Sequence, residues 1–235
     1  MNHQVMNNIS ISVFFPCYNE GRNIGKLLTN TLNFIPKICS DFEVIVVDDG
    51  SRDDTAEIAH IFSQKDPRVK VVSHGRNKGY GFALRTGIEN SNKNYIFFTD
   101  GDNQFDITEL AKLLPHLQDF DIVAGFRIKR KDNLVRRLNA KSFKILIQIL
   151  FGLKITDLNC AFKIFKSKSV KNMELKSSGA MINAEILIRA MKKGYKMKEV
   201  GINHYPRQWG TQTGGNLRVI IRAFRDLYKM RKELK

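Results

Sequence analysis

The feature that most constrains this 235-residue sequence is a regular alternation, across its first half, of short apolar runs and longer segments of helical spacing. Residues 9–15, 42–47, 69–72, 95–98 and 121–124 are rich in β-branched and aromatic side chains, and each run gives way to polar residues or glycine. That is the pattern of strands buried on both faces. Between them, residues 23–34, 54–64, 81–89 and 107–117 repeat apolar side chains at helical intervals. Asp53 or Asp54 is placed to cap the second of these helices, and Asp106 the fourth. The alternation predicts an α/β fold: a mainly parallel sheet with helices on both faces. Ligands of such sheets bind beyond the carboxyl ends of the strands, so the polar clusters there are where chemistry is expected.

After Gly125 the pattern changes. Residues 127–153 are first basic and then apolar, 160–165 and 198–205 read as further strands, and 183–193 as a helix. Residues 217–232 form a basic amphipathic helix with Leu217, Ile220, Ile221, Phe224 and Leu227 or Tyr228 on one face. No repeat, low-complexity tract or linker interrupts the chain, so a single domain over residues 1–235 is expected.

Thirty-nine Lys and Arg against 23 Asp and Glu give a net charge of +16. Such a surface attracts nucleic acid, anionic lipid or phosphorylated small molecules. Specific nucleic-acid binding is not expected, because the basic run at 127–144 has only Phe126 and Phe143 as aromatic neighbours and carries no recognition motif. The cysteines, Cys17, Cys39 and Cys160, are odd in number and form no Cys-x-x-Cys pair, which fits a reducing compartment. The first eight residues lack the apolar core of a signal peptide. The most apolar run, 145–153, is far short of the ~20 residues that span a bilayer.

Two acidic clusters follow strand-like runs. One is Asp48-Asp49-Gly50-Ser51-Arg52-Asp53-Asp54-Thr55; the other is Thr99-Asp100-Gly101-Asp102-Asn103-Gln104. In an extended segment Asp100 and Asp102 point the same way, and Gly101 lets the backbone approach a ligand closely. Hard oxygen donors of this kind suit Mg²⁺ or Mn²⁺, which are held by one or two carboxylates plus substrate phosphates. Asp, Asn and Gly are also the common residues of turns. What favours a site is the placement of both clusters at strand ends.

With Phe15-Pro16-Cys17-Tyr18-Asn19-Glu20 ahead of them, these clusters resemble the motifs of glycosyltransferase family 2, and within it the polyprenyl-phosphate, dolichol-phosphate mannosyltransferase-like branch. The resemblance runs over about residues 9–215. It implies the GT-A (nucleotide-diphospho-sugar transferase) fold, with residues 9–125 as the nucleotide-sugar-binding half, 126–215 as the acceptor and interface half, and 216–235 as a basic C-terminal helix. It places Pro16, Tyr18, Glu20, Val47 and Asp49 in the nucleoside pocket and Gly101 against the nucleotide. Asp100, Asp102 and Gln104 hold the metal in this scheme, and Asp102, Arg127 and Arg207 serve catalysis, with Arg127 and Arg207 near the phosphates. Asn77-Lys78-Gly79 with Gly81, Arg85 and Gly87 is similar to a family glycine-rich stretch. Asp157 to Lys163 is similar to an element in which Ala161 replaces the usual glycine, and the loop after Tyr205 keeps Arg207 and Gly210 but has Gln212-Thr213 where Ser-Lys is usual.

The activity this implies is inverting transfer of a sugar from a UDP- or GDP-sugar to a polyprenyl (dolichyl or undecaprenyl) phosphate. Arg136, Arg137 and Lys141 would hold the acceptor phosphate. A phosphate acceptor, with a second pKa of about 6, needs no base. The alternative is a family 2 transferase of cell-envelope polysaccharide synthesis, acting on a saccharide or protein hydroxyl, which needs a base; Glu185 is the residue for it. Residues 127–144 hold eight basic residues and one acidic one, followed by the apolar 145–153. That arrangement suits the cytoplasmic face of a membrane, where the chain would sit peripherally or on a membrane-protein partner.

Overall fold

The computed structural model describes residues 9–128, 134–210 and 217–234, apart from the side chains of 134–140 and 217–222. In chain order the elements are β1 (Ser10–Cys17), α1 (Gly21–Phe34), β2 (Asp41–Asp48), α2 (Thr55–Lys65), β3 (Val69–Ser73), α3 (Tyr80–Asn90), β4 (Tyr95–Thr99), β5 (Ile122–Arg127), α4 (Leu134–Phe151), β6 (Phe162–Lys166), α5 (Ser167–Lys171), α6 (Ile182–Lys192), β7 (Met197–Ile202) and α7 (Leu217–Glu233). The strands form one seven-stranded sheet of order β3-β2-β1-β4-β6-β5-β7. All pairings are parallel except those of β6, which runs antiparallel between β4 and β5. Strands from both halves of the sequence therefore share one sheet.

β1 and β2 are buried along all but their first residue, which is why their sequences are apolar without alternation. Phe14 of β1 stacks on Phe98 of β4 at 5.5 Å, and Phe98 on Phe165 of β6 at 5.9 Å. These rings run across three neighbouring strands and fix their register. α3 lies on β1 through Gly87: a Cβ built there would fall 2.2 Å from the Phe14 ring. Gly87→Ala therefore forces the helix off the sheet. We expect a loss of about 1–3 kcal/mol, read as a lowered urea midpoint with an unchanged slope; a midpoint equal to the parent's would show that the contact yields freely.

One expectation changes. Residues 107–117, expected as one helix, form two 3₁₀ helices, Ile107–Lys112 and Leu114–His116. Pro115 lacks an N–H and its ring crowds the preceding turn, so the α-helix cannot run through. Asp106 does cap the first of them, accepting from the Thr108 amide at 2.9 Å. At α2 the capping carboxylate is that of Asp53, which accepts from the Thr55 amide and also takes the Gly21 amide of α1 at 3.0 Å.

Among the described residues no helix is long and apolar enough to cross a membrane. The run at 145–153 divides: Ile147 and Leu153 are buried, while Ile145 and Ile149 are 46% and 75% exposed. α7 divides likewise. Leu227 and Met230 are buried, Glu233 pairs with Arg189 and Lys176, and Phe224 and Tyr228 face outward.

Candidate functional site

The site is organised around the end of β1. Because β1 lies between β2 and β4, both acidic clusters arrive beside Cys17. The Asp49 amide donates to the Cys17 carbonyl at 2.8 Å. On the other side, a Cβ at Gly101 would fall 2.6 Å from Cys17 Sγ and 3.5 Å from Glu20 Cγ. Gly101 is thus required by its contact with β1. Burial, with Glu20, Asp48, Asp100 and Asp102 around it, pushes the Cys17 thiol well up, so it stays neutral and unreactive.

Each acidic residue has a distinct setting. Asp48 accepts from the Ser51 amide at 3.0 Å, the ordinary work of a turn carboxylate. Asp49 is 3% exposed and accepts from the amides of Lys78 and Gly79 at 2.9 and 2.8 Å, with His74 Nδ1 at 2.7 Å. It pins the loop that leads into α3, with Gly79 at φ +103°. Asp100 accepts from the Tyr80 hydroxyl at 2.8 Å. Burial and the neighbouring Asp102 raise its carboxyl above the usual carboxylate range. Asp102 accepts from the Gln104 amide at 3.0 Å. Burial also raises Glu20, against the lowering by Asn23 and Arg207.

Arg207 closes this group. Its guanidinium donates to Glu20 Oε1 at 2.5 Å, to Asp102 Oδ2 at 3.3 Å and to the Trp209 carbonyl at 2.6 Å. Arg22 stacks over Trp209 at 5.1 Å, and a pocket of about 260 Å³ lined by Asn19, Arg22, Asn23, Asp53, Trp209 and Gly210 opens beside it. Residues from the ends of β1 and β4 and from the chain after β7 thus meet at one guanidinium.

The expected site residues sort as follows. Pro16, Glu20, Asp49, Asp100, Gly101, Asp102 and Arg207 converge, with Tyr18 half-exposed at their rim. Val47 pairs with Pro16 in the sheet and is fully buried, so its side chain belongs to the core beneath the site. Gln104 turns its amide nitrogen to the Tyr205 carbonyl at 3.1 Å and anchors the loop carrying Arg207. Arg127 forms a two-pronged pair with Asp157 at 2.6 and 2.9 Å, both side chains buried, so its fork is already matched to a carboxylate. Glu185 is 1% exposed and accepts from the amides of Lys176 and Ser177 and from Arg189, which leaves it shielded from any acceptor. Lys141 is exposed on α4; the side chains of Arg136 and Arg137 lie outside the described residues, as do Gln212 and Thr213. Tyr80 and Asn183 were not among the expected site residues. The contact of Tyr80 with Asp100, and of Asn183 with Tyr80, depends on where α3 and α6 land on the sheet, which no local motif encodes.

Asp100 and Asp102 are hard oxygen donors, and burial together with the charge of Asp102 raises the Asp100 carboxyl, a setting that a divalent cation relieves. Among the described residues no group of three or more His, Cys, Asp and Glu is arranged to hold a metal. Two carboxylates plus ligand phosphates is the set these residues offer.

Residues 12–173 match the family described as Glycosyl transferase family 2. An uncharacterized protein of Methanocaldococcus jannaschii is 30% identical over 237 residues, covering 96% of this chain and 92% of that one. The undecaprenyl-phosphate 4-deoxy-4-formamido-L-arabinose transferase of Pectobacterium atrosepticum is 28% identical over 213 residues, 90% of this chain, which spans 64% of that relative's length. Among solved structures, glucosyl-3-phosphoglycerate synthase from Mycobacterium tuberculosis, in complex with Mn²⁺, UDP and glucosyl-3-phosphoglycerate, superposes with a TM-score of 0.69 at 17% identity over 97% of this chain and 77% of that one.

Proposed function

The chain belongs to glycosyltransferase family 2, with the GT-A fold, and from that premise we propose that it transfers a sugar from a nucleotide-diphospho-sugar to a polyprenyl phosphate at a membrane surface. The observation that carries this is the meeting of Glu20, Asp102 and Arg207 at the end of β1, with Asp49 and Asp100 on either side. A UDP- or GDP-sugar would lie across that strand end, its nucleoside toward Tyr18, Glu20 and Asp49 and its pyrophosphate toward Asp100 and Asp102.

These two carboxylates would hold Mg²⁺ or Mn²⁺, which supplies Lewis-acid stabilisation of the departing diphosphate. Arg207 now neutralises Glu20 and Asp102. When donor phosphates arrive, its fork can turn to them and stabilise charge as it develops. One displacement at the anomeric carbon inverts its configuration. A lipid monophosphate attacks as an anion without a general base, in keeping with a buried, saturated Glu185. Lys141, together with Arg136 and Arg137, is the proposed acceptor-phosphate group. The test is transfer of label from a panel of UDP- and GDP-sugars to undecaprenyl and dolichyl phosphate with Mn²⁺. Label in the lipid fraction is expected, and its absence across the panel would overturn the assignment.

Membrane association is supported by a pair of touching helices. Phe143 of α4 meets Phe224 of α7 edge to face at 6.3 Å. On these two helices Ile145, Ile149 and Tyr228 are exposed, and Lys141, Arg225 and Lys229, near them in sequence, are exposed as well. Helices that expose both aliphatic or aromatic side chains and cations fit an anionic lipid surface. Ile149→Asp combined with Tyr228→Asp is expected to lower the share of protein co-sedimenting with anionic vesicles about tenfold or more, with an unchanged thermal midpoint. Equal co-sedimentation would remove this face from the membrane.

A further inference from the structure

A line of buried polar groups runs behind the acidic cluster. Lys163 of β6 is fully buried, and its ammonium donates to the Asn183 carbonyl oxygen Oδ1 at 2.9 Å and to the Cys160 carbonyl. Asn183 of α6 is 4% exposed and directs its Nδ2 to the Tyr80 hydroxyl oxygen at 3.5 Å. Tyr80, the first residue of α3, donates that hydroxyl to Asp100 Oδ1 at 2.8 Å. Lys163 lies opposite Phe98 in the β4–β6 pairing, two residues before Asp100, and sits 5.5 Å from the Phe98 ring.

Two things distinguish this line from incidental satisfaction of a buried lysine. The first is direction: each group donates to the next, from ammonium to amide, amide to hydroxyl and hydroxyl to carboxylate. The second is distance in bonds. The lysine's charge is separated from Asp100 by two neutral groups, so it favours the carboxylate without standing where a second cation must go. A ligand carboxylate held at one oxygen presents its other oxygen in a fixed direction, and such partners set ligand affinity although they never touch the metal.

We propose that Tyr80, set by Asn183 and Lys163, is a positioning residue that fixes Asp100 for the donor's divalent cation, a role that rests on Asp100 holding that cation. Tyr80→Phe removes only the hydroxyl and keeps the ring. Lys163→Met removes the charge at the far end, at greater risk to folding. Asp100→Asn serves as the reference for loss of the cation itself.

The experiment titrates Mn²⁺ by electron paramagnetic resonance in the presence of UDP, with a parallel series in GDP, alongside metal-free nucleotide binding and the ligand-free thermal midpoint. For Tyr80→Phe we expect the Mn²⁺ half-saturation to rise about tenfold, with metal-free nucleotide affinity and thermal midpoint unchanged. Lys163→Met is expected to move it the same way by less; if that variant fails to fold, Tyr80→Phe decides alone. A purely structural line would lower the midpoint and leave the Mn²⁺ titration in place, and that result overturns the proposal. If Asp100→Asn abolishes Mn²⁺ binding while Tyr80→Phe matches the parent, the positioning role falls and the metal role stands. If Asp100→Asn also matches the parent, the metal role falls and the proposal falls with it.

Discussion

Asp102→Asn is expected to lower kcat/KM for sugar transfer by roughly a thousandfold or more, the scale of several kcal/mol of lost stabilisation of the leaving group. The substitution is nearly isosteric, and the amide oxygen can still accept from the Gln104 amide. What disappears is one charge in a cluster where charge is the chemistry. The same substitution should not weaken the ligand-free fold. Asp102 raises the carboxyls of both Asp100 and Glu20 by its proximity, so its neutralisation relieves repulsion, and its contact with Arg207 is the longer of the two ion pairs that Arg207 makes among the described residues, 3.3 Å against 2.5 Å. The expected pairing is therefore a collapse of turnover with a held or raised thermal midpoint, measured by steady-state transfer and by thermal denaturation without ligand. In parallel, the extra stabilisation that Mn²⁺ with UDP or GDP gives the parent should vanish, since a ligand stabilises only the form it binds. A fall in kcat/KM of less than tenfold would show that Asp102 does not serve the cation.

Much of this site could be read from residue order alone, and the reason is topological. Strand-end clusters are short and contiguous, and a parallel sheet brings its carboxyl ends to one edge whatever the details of packing. The strand-like run at 42–47 had only to be a strand, and Asp48 and Asp49 followed; β2 ends at Asp48. Pairings between distant segments were not legible. The resemblance puts Arg127 near the phosphates, but nothing in the residues around it signals the carboxylate its guanidinium takes, Asp157, which lies 30 residues on. Glu185 looked like a base on a helix, yet the loop before α6 folds back so that two of its amides reach the carboxylate. Tyr80 was hidden within a stretch noted for its glycines. Two of those, Gly81 and Gly87, are required by packing: a Cβ at Gly81 would fall 2.3 Å from the Ser177 carbonyl oxygen, as one at Gly87 would strike Phe14. The run at 145–153 could be given to core or to surface, and the helix it forms serves both, since Ile147 and Ile149 point to opposite environments.

Arg207→Ala is expected to lower kcat by about a hundredfold to a thousandfold, the cost of removing one preorganised donor to a developing negative charge. Two causes would give that fall, and they separate cleanly. In the ligand-free protein Arg207 contacts both Glu20 and Asp102, so its loss removes a cation from between two buried carboxylates and costs about 1–3 kcal/mol of stability. If turnover fell only because this acidic cluster came apart, saturating Mn²⁺ would restore it, because a divalent ion quenches the same repulsion. If Arg207 grips the diphosphate itself, excess Mn²⁺ restores the thermal midpoint and not kcat. We expect the second outcome. Arg207→Lys sharpens the distinction: it keeps the charge that calms Glu20 and Asp102, but a lysine has no fork to match two phosphate oxygens. The lysine variant should therefore hold the parent's midpoint while retaining only a small share of its turnover. Parent-like kcat in Arg207→Lys would mean that charge alone suffices, and that the geometry around Arg207, with the Trp209 carbonyl accepting from its Nε at 2.6 Å, serves only to seat the loop.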